Sequence, residues 1–118
     1  MNKKVTVVGG GNVGATAVLY LAEKQLADLV LVDVVEGLPQ GKAADLSHAS
    51  ALRRFKITFT GSNDYDPIAG SDVVVITAGL PRKPGMSRSD LVGTSAKIVG
   101  EVSRHIKQHA PHAIIIVV

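Results

Sequence analysis

The stretch Val5–Gly14 reads Val-Thr-Val-Val-Gly-Gly-Gly-Asn-Val-Gly: an apolar run closes on glycines at 9, 11 and 14 and passes into a segment of helical period. Few folds accept that succession. A glycine triplet at this spacing is weak evidence by itself, because it also roofs the ATP site of kinases. Its context is more selective. Val5–Val8 has the continuous apolar character of a central parallel strand. In Asn12–Gln25 the residues Val13, Ala17, Leu21 and Ala22 recur as one helix face. Gly9 permits a tight turn out of the strand, Gly11 removes a Cβ from the path of a ligand, and Gly14 permits close helix-to-sheet packing. The unpaired N–H groups of the helix start form an anion site that needs no basic side chain. The expected ligand is a dinucleotide.

Asp33 closes the second apolar run, Leu29–Asp33, nineteen residues beyond Gly14. A carboxylate there can accept both adenosine ribose hydroxyls and repels a 2′-phosphate, so the expected cofactor is NAD and not NADP. Capping of the next turn is the competing role for an Asp in this place.

Five strand candidates, Lys4–Val8, Leu29–Asp33, Lys56–Thr60, Asp72–Thr77 and His112–Val118, alternate with helical or mixed stretches. The pattern predicts an α/β fold with a doubly wound parallel sheet of Rossmann type, in order 3-2-1-4-5. Phe55, Ile57 and Phe59 alternate with polar residues, as in a strand at the sheet edge. Val73–Ile76 and Ile114–Val118 are unbroken apolar runs, expected to be inner strands covered on both faces. Helices are expected from Leu38–Pro39 onward, with Leu46 and Ala49 inward, and over Ser87–His109, where Val92, Ala96, Val99, Val102 and Ile106 share a face. Asp66–Gly70 reads as a short turn or helix, and Pro111 stops the last helix.

With 118 residues, the chain has the length of one domain. Its net charge of +3 is spread among acids, and aromatics are only 3%, so neither a basic stripe nor a stacking surface for nucleic acid is present. No cysteine is available for disulfides, thiolate catalysis or metal ligation. Met1–Lys4 leads directly into the first strand and no run reaches membrane-spanning length, so a soluble cytoplasmic protein without membrane or nucleic-acid partners is expected.

Thr77–Asp90, Thr-Ala-Gly-Leu-Pro-Arg-Lys-Pro-Gly-Met-Ser-Arg-Ser-Asp, leaves the fourth strand beside the cofactor crevice and reads as a lid. Gly79 and Gly85 allow backbone changes, whereas Pro81 and Pro84 restrict the stretch between them. Arg82 and Arg88 can each grip a carboxylate through paired hydrogen bonds, which suits an anionic substrate.

Taken together, Gly9–Gly14, Val30–Val35 with Glu36–Lys42, and above all Ala78–Arg88 resemble the lactate/malate dehydrogenase family. The similarity is closest to NAD-dependent malate dehydrogenase of the prokaryotic type, and runs from Lys3 to Val118. The resemblance implies that Gly9, Gly10, Gly11, Asn12, Val13 and Gly14 cradle the pyrophosphate and Asp33 holds the ribose. Thr77, Ala78 and Gly79 would line the other half of NAD, together with Ser95 and Val118. Ser95 stands where the family usually has Asn, which shortens its reach. Arg82 would pair with the distal carboxylate of malate or oxaloacetate, and Arg88 would polarise the reacting carbonyl. Lactate dehydrogenases commonly carry Gln at the position of Arg82, since pyruvate has no second carboxylate and an unpaired enclosed arginine is costly.

By the same resemblance, residues 1–118 form an incomplete NAD-binding domain, cut after the fifth strand. The family's catalytic His, its Asp partner and a third arginine lie in a second half outside this sequence. His48, His105, His109 and His112 are expected to be structural or solvated, so no general base and no metal site is assigned. The 118 residues alone are expected to be inactive and to self-associate, within a homo-oligomeric parent enzyme of the tricarboxylic acid cycle. A lactate dehydrogenase, or a stand-alone NAD-binding module without catalysis, are the alternative readings.

Overall fold

The computed structural model describes residues 2–78 and 84–118. Along the chain come β1 (Lys4–Val8), α1 (Asn12–Lys24), β2 (Asp28–Val32), α2 (Leu38–Arg53) and β3 (Phe59–Ser62). A short 3₁₀ turn over Asp66–Ile68 then precedes β4 (Val73–Ile76), α3 (Arg88–His109) and β5 (Ile114–Val117). All four strand pairings are parallel, and the order is β3-β2-β1-β4-β5, as the alternation of strands and helices predicts. The sequence turns back on itself between β1 and β4, so their carboxyl ends flank the switch-point crevice where such sheets take ligands.

Alternate residues of β1 and β2 feed two cores. Val8, Val30 and Val32 join Val74, Ile76, Val102 and Ile106 beneath α3, while Val7, Leu29 and Leu31 join Val18, Ala22 and Phe55 beneath α1 and α2. Burial of each such aliphatic side chain contributes about 1.5–3 kcal/mol. Thr6, at the sheet centre, bonds the Ser71 hydroxyl at 2.6 Å, and Ser71 lies 2.6 Å from the Ile68 carbonyl. No buried side-chain N or O atom among the described residues lacks a partner.

Three expectations are corrected. The edge strand begins at Phe59, three residues later than Lys56. The amides of Lys56 and Thr58 are taken by the side chains of Gln25 (2.7 Å) and Asp28 (2.8 Å), and the ladder to β2 starts only where the Thr58 carbonyl accepts the Leu29 N–H at 2.9 Å. The inward row of α1 is Gly14, Val18 and Ala22, and Val13 is 61% exposed. The turn brings Gly14 itself against the strand, which rotates Val13 away.

The third correction is the largest. Ile114–Val118 is not an inner run: every one of these residues is exposed, because β5 is an outer strand of the described sheet and no described helix covers it. β4 is fully covered only on its α3 side, with Val74 and Ile76 buried and Val73 and Val75 half-buried. α3 is likewise only partly packed. Its 22 residues span about 33 Å, against about 13 Å for a four-residue strand. Ile98–Ile106 carries its core contacts, and Val92 and Ala96 are exposed. Since α3 leads into the amino end of β5, its first turns extend past the carboxyl ends of the strands.

Candidate cofactor site

The carboxyl end of β1 is closed by four contacts. Gly9 donates its N–H to Val32 O at 2.8 Å, Thr77 donates its own to Val8 O at 2.8 Å, and the Thr77 hydroxyl lies 3.1 Å from both Val8 O and Gly9 O. This leaves no room for side chains. At Gly9, whose φ is +110°, an added Cβ would lie 2.6 Å from Thr77 Oγ1, and at Gly14 it would lie 1.7 Å from the Gly9 carbonyl oxygen. Gly11 differs from both, since a Cβ built there meets nothing within 4 Å. Two of the three glycines therefore answer to the protein itself, and the third faces open space.

That open space lies at the start of α1. Its N-cap is Gly11, with no side-chain cap and no acidic residue in the first turn, so backbone N–H groups and the positive end of the helix dipole are left for an anion. Asn12 and Val13 in this turn are exposed.

Asp33 lies one residue beyond β2. Its Oδ2 accepts the Gly10 N–H at 2.5 Å and its Oδ1 accepts the Val35 N–H at 2.8 Å. The carboxylate thus joins the glycine turn to the turn after β2, and its bond to the Val35 N–H is the capping role open to an Asp in this place. Each oxygen retains acceptor capacity beyond its one amide, which suits a diol. Nearby, the hydroxyl of Tyr65 is held neutral to higher pH than usual by burial, then by the charges of Glu101 and Asp33.

Sequence reasoning missed Asn63, which follows β3. Its Nδ2 donates to Asp33 O (2.9 Å) and Val35 O (2.8 Å), and its Oδ1 accepts from Gln40 Nε2 (2.7 Å) and Gly37 N (3.4 Å). The only hint was Ser-Asn-Asp after a strand, a common turn composition.

Thr77 and Ala78 are half-buried at the crevice. Gly79 and Arg82 lie outside the described residues. Arg88 is exposed in the first turn of α3, after a capping box in which Ser87 and Asp90 satisfy each other's backbone amides. Ser95 is half-buried in α3. Val118 is exposed, and its N–H donates to Ile76 O at 2.9 Å.

The histidines stand apart from the glycine turn. His48 is exposed on α2, and His105 stacks on Tyr65 with centroids 4.2 Å apart. His109 lies 3.5 Å from the Asp66 carboxylate. His109 and His112 also line a 680 Å³ depression with Lys3, Ser71 and Asp72, at the amino ends of the strands and thus opposite the crevice. No group of three metal-ligating side chains occurs among the described residues. No helix among them is long and apolar enough to cross a membrane.

This sheet, switch point and glycine turn define a dinucleotide-binding domain of Rossmann type. Residues 3–118 match the family described as lactate/malate dehydrogenase, NAD binding domain, and the chain belongs to that family. It is 53% identical over 116 residues to a malate dehydrogenase of Geotalea uraniireducens, covering 98% of this chain and 36% of that protein. The crystal structure of Cryptosporidium parvum malate dehydrogenase superimposes with a TM-score of 0.92 at 46% identity, over 99% of this chain and 37% of that one. Lactate dehydrogenase from Eimeria maxima, crystallised with NADH and oxamate, gives 0.91 at 43% identity, over 99% and 36%. The chain spans just over a third of the length of these relatives. NAD is the cofactor the family implies, and the uncapped start of α1, the open side of Gly11 and the diol-ready carboxylate of Asp33 fit it.

Proposed function

We propose that this chain forms the cofactor half of a malate dehydrogenase, with Gly9–Gly14 and Asp33 holding NAD and Arg82 and Arg88 serving the substrate. The observation that carries this reading is the meeting of the glycine turn with Asp33, since Gly10 N–H and the carboxylate bond each other directly. Bound NAD supplies the hydride acceptor. The chain's own contribution is to fix the anion with the first N–H groups of α1 and the ribose with Asp33. Arg82 would pair the second carboxylate of malate or oxaloacetate, and Arg88 would polarise the carbonyl. The names of relatives 53% and 55% identical to this chain, both malate dehydrogenases, support the dicarboxylate.

Fluorescence titration tests the cofactor assignment. NADH is expected to bind tighter than NADPH by about tenfold or more, about 1.4 kcal/mol, because a 2′-phosphate would meet the Asp33 carboxylate. Equal affinities would overturn the role of Asp33. The Eimeria maxima enzyme makes lactate dehydrogenase the second reading. In a chimera joining residues 1–118 to the remaining length of the Geotalea uraniireducens relative, Arg82→Gln is expected to shift kcat/KM from oxaloacetate toward pyruvate. An unchanged ratio would refute the specificity role of Arg82.

A further inference from the structure

We infer that Asn63 is a positioning residue for the adenosine side of the site, setting Asp33 through the turn that follows it. The inference rests on the dinucleotide reading above and extends it to a residue on a different strand connection. Asp33 has its carboxylate fixed at two points, the Gly10 amide and the Val35 amide. The second point belongs to the turn over residues 34–37, which has little packing to hold it: Val34 is 87% exposed and Val35 55%. Backbone bonds add Asp33 N to Ser62 O, 3.2 Å, and Leu38 N to Val35 O, 3.2 Å.

Asn63 supplies the missing restraint. Both amide hydrogens reach carbonyls of the turn, at Asp33 and Val35, and both acceptor positions of Oδ1 are taken, by Gly37 N–H and the Gln40 side chain. One side chain therefore ties the end of β2, the turn and the start of α2 to the end of β3. No other residue type offers two donors and a double acceptor at this length. Aspartate has the same shape, but would set oxygen against the Asp33 and Val35 carbonyls and bring a second charge near the Asp33 carboxylate. Because Asn63 is exposed, its removal leaves the two cores intact.

A role in setting Asp33 and a merely structural role differ in which ligand they affect. The 118-residue chain and its Asn63→Ala and Asn63→Asp variants are titrated with NADH and with reduced nicotinamide mononucleotide, which lacks the adenosine. The expected result is an affinity for NADH weakened about tenfold in Asn63→Ala and further in Asn63→Asp, about 1.4 kcal/mol for the first, with the mononucleotide unchanged. Amide exchange without ligand gives a second readout: Val35 and Gly37 are expected to exchange faster in Asn63→Ala, while Val7 and Val30 keep their protection. Unchanged NADH affinity, equal weakening of both ligands, or unchanged exchange at Val35 and Gly37 would each overturn the inference. If the unsubstituted chain bound no NADH, the dinucleotide reading would fail and take the inference with it. Binding by that chain with no loss in Asn63→Ala would overturn the inference alone.

Discussion

The two flanks of the sheet are built from the same residue types and have opposite surroundings. On the β2 side, Leu29–Val32 is at most 3% exposed, packed between α3 and the layer of α1 and α2. On the other side, Ile114–Val117 is 42–66% exposed although it is the more apolar strand. β4 stands between them, with Ile76 buried and its register partner Val117 59% exposed. An apolar run states what a strand would gain from being covered. It does not state whether anything covers it.

The contrast can be tested by substitution. Gly14→Ala strikes the first flank where it is tightest and is expected to cost about 3 kcal/mol or more in a urea melt, because the Gly9 carbonyl must move. A loss below about 1 kcal/mol would show that the β1–α1 junction yields more easily than its geometry implies. Next, Ile76→Ala is expected to cost about 3 kcal/mol and Ile116→Ala no more than about 0.5, from the same chemical change on adjacent strands. Similar losses would mean that β5 is covered in solution. The smallest effect concerns acid. Asp28 titrates below its ordinary value of 3.8, chiefly because its carboxylate accepts the Thr58 amide. A depressed folded-state value gives stability that is present above the unfolded value and lost as pH falls through the folded one. Asp28→Asn should flatten the dependence of the urea midpoint on pH below 3.8, and an unaltered profile would remove Asp28 from the acid response.

The flanks also differ in how far the sequence describes them. Glycines 9 and 14 were legible because part of their demand is local: Gly9 takes a φ of +110°, and the Gly9 carbonyl oxygen that a Cβ at Gly14 would meet lies within one turn. Strand order followed from the alternation of elements. The displaced start of β3 was not legible, since Gln25 and Asp28 satisfy amides of residues more than two dozen positions away. Val13 misled because its period is helical, yet the close approach at Gly14 sets which face turns inward. Asn63 gave almost no signal, as its four partners lie 23 to 30 residues away, between the end of β2 and the first turn of α2. Arg82, to which the proposed function gives the choice of substrate, lies outside the described residues.

The order β3-β2-β1-β4-β5 also bears on how the chain folds during synthesis. β1 is made first and lies in the middle, so its β2 side can pair early, while its other edge waits for β4, whose partners are 68 residues away. Loop closure over that span costs entropy before any contact repays it, and parallel pairing at such separation is slow. During that interval Val5–Val8 presents an unpaired apolar edge, a state in which nascent chains adhere to one another. The strand that anchors the glycine turn is therefore the one whose protection arrives late.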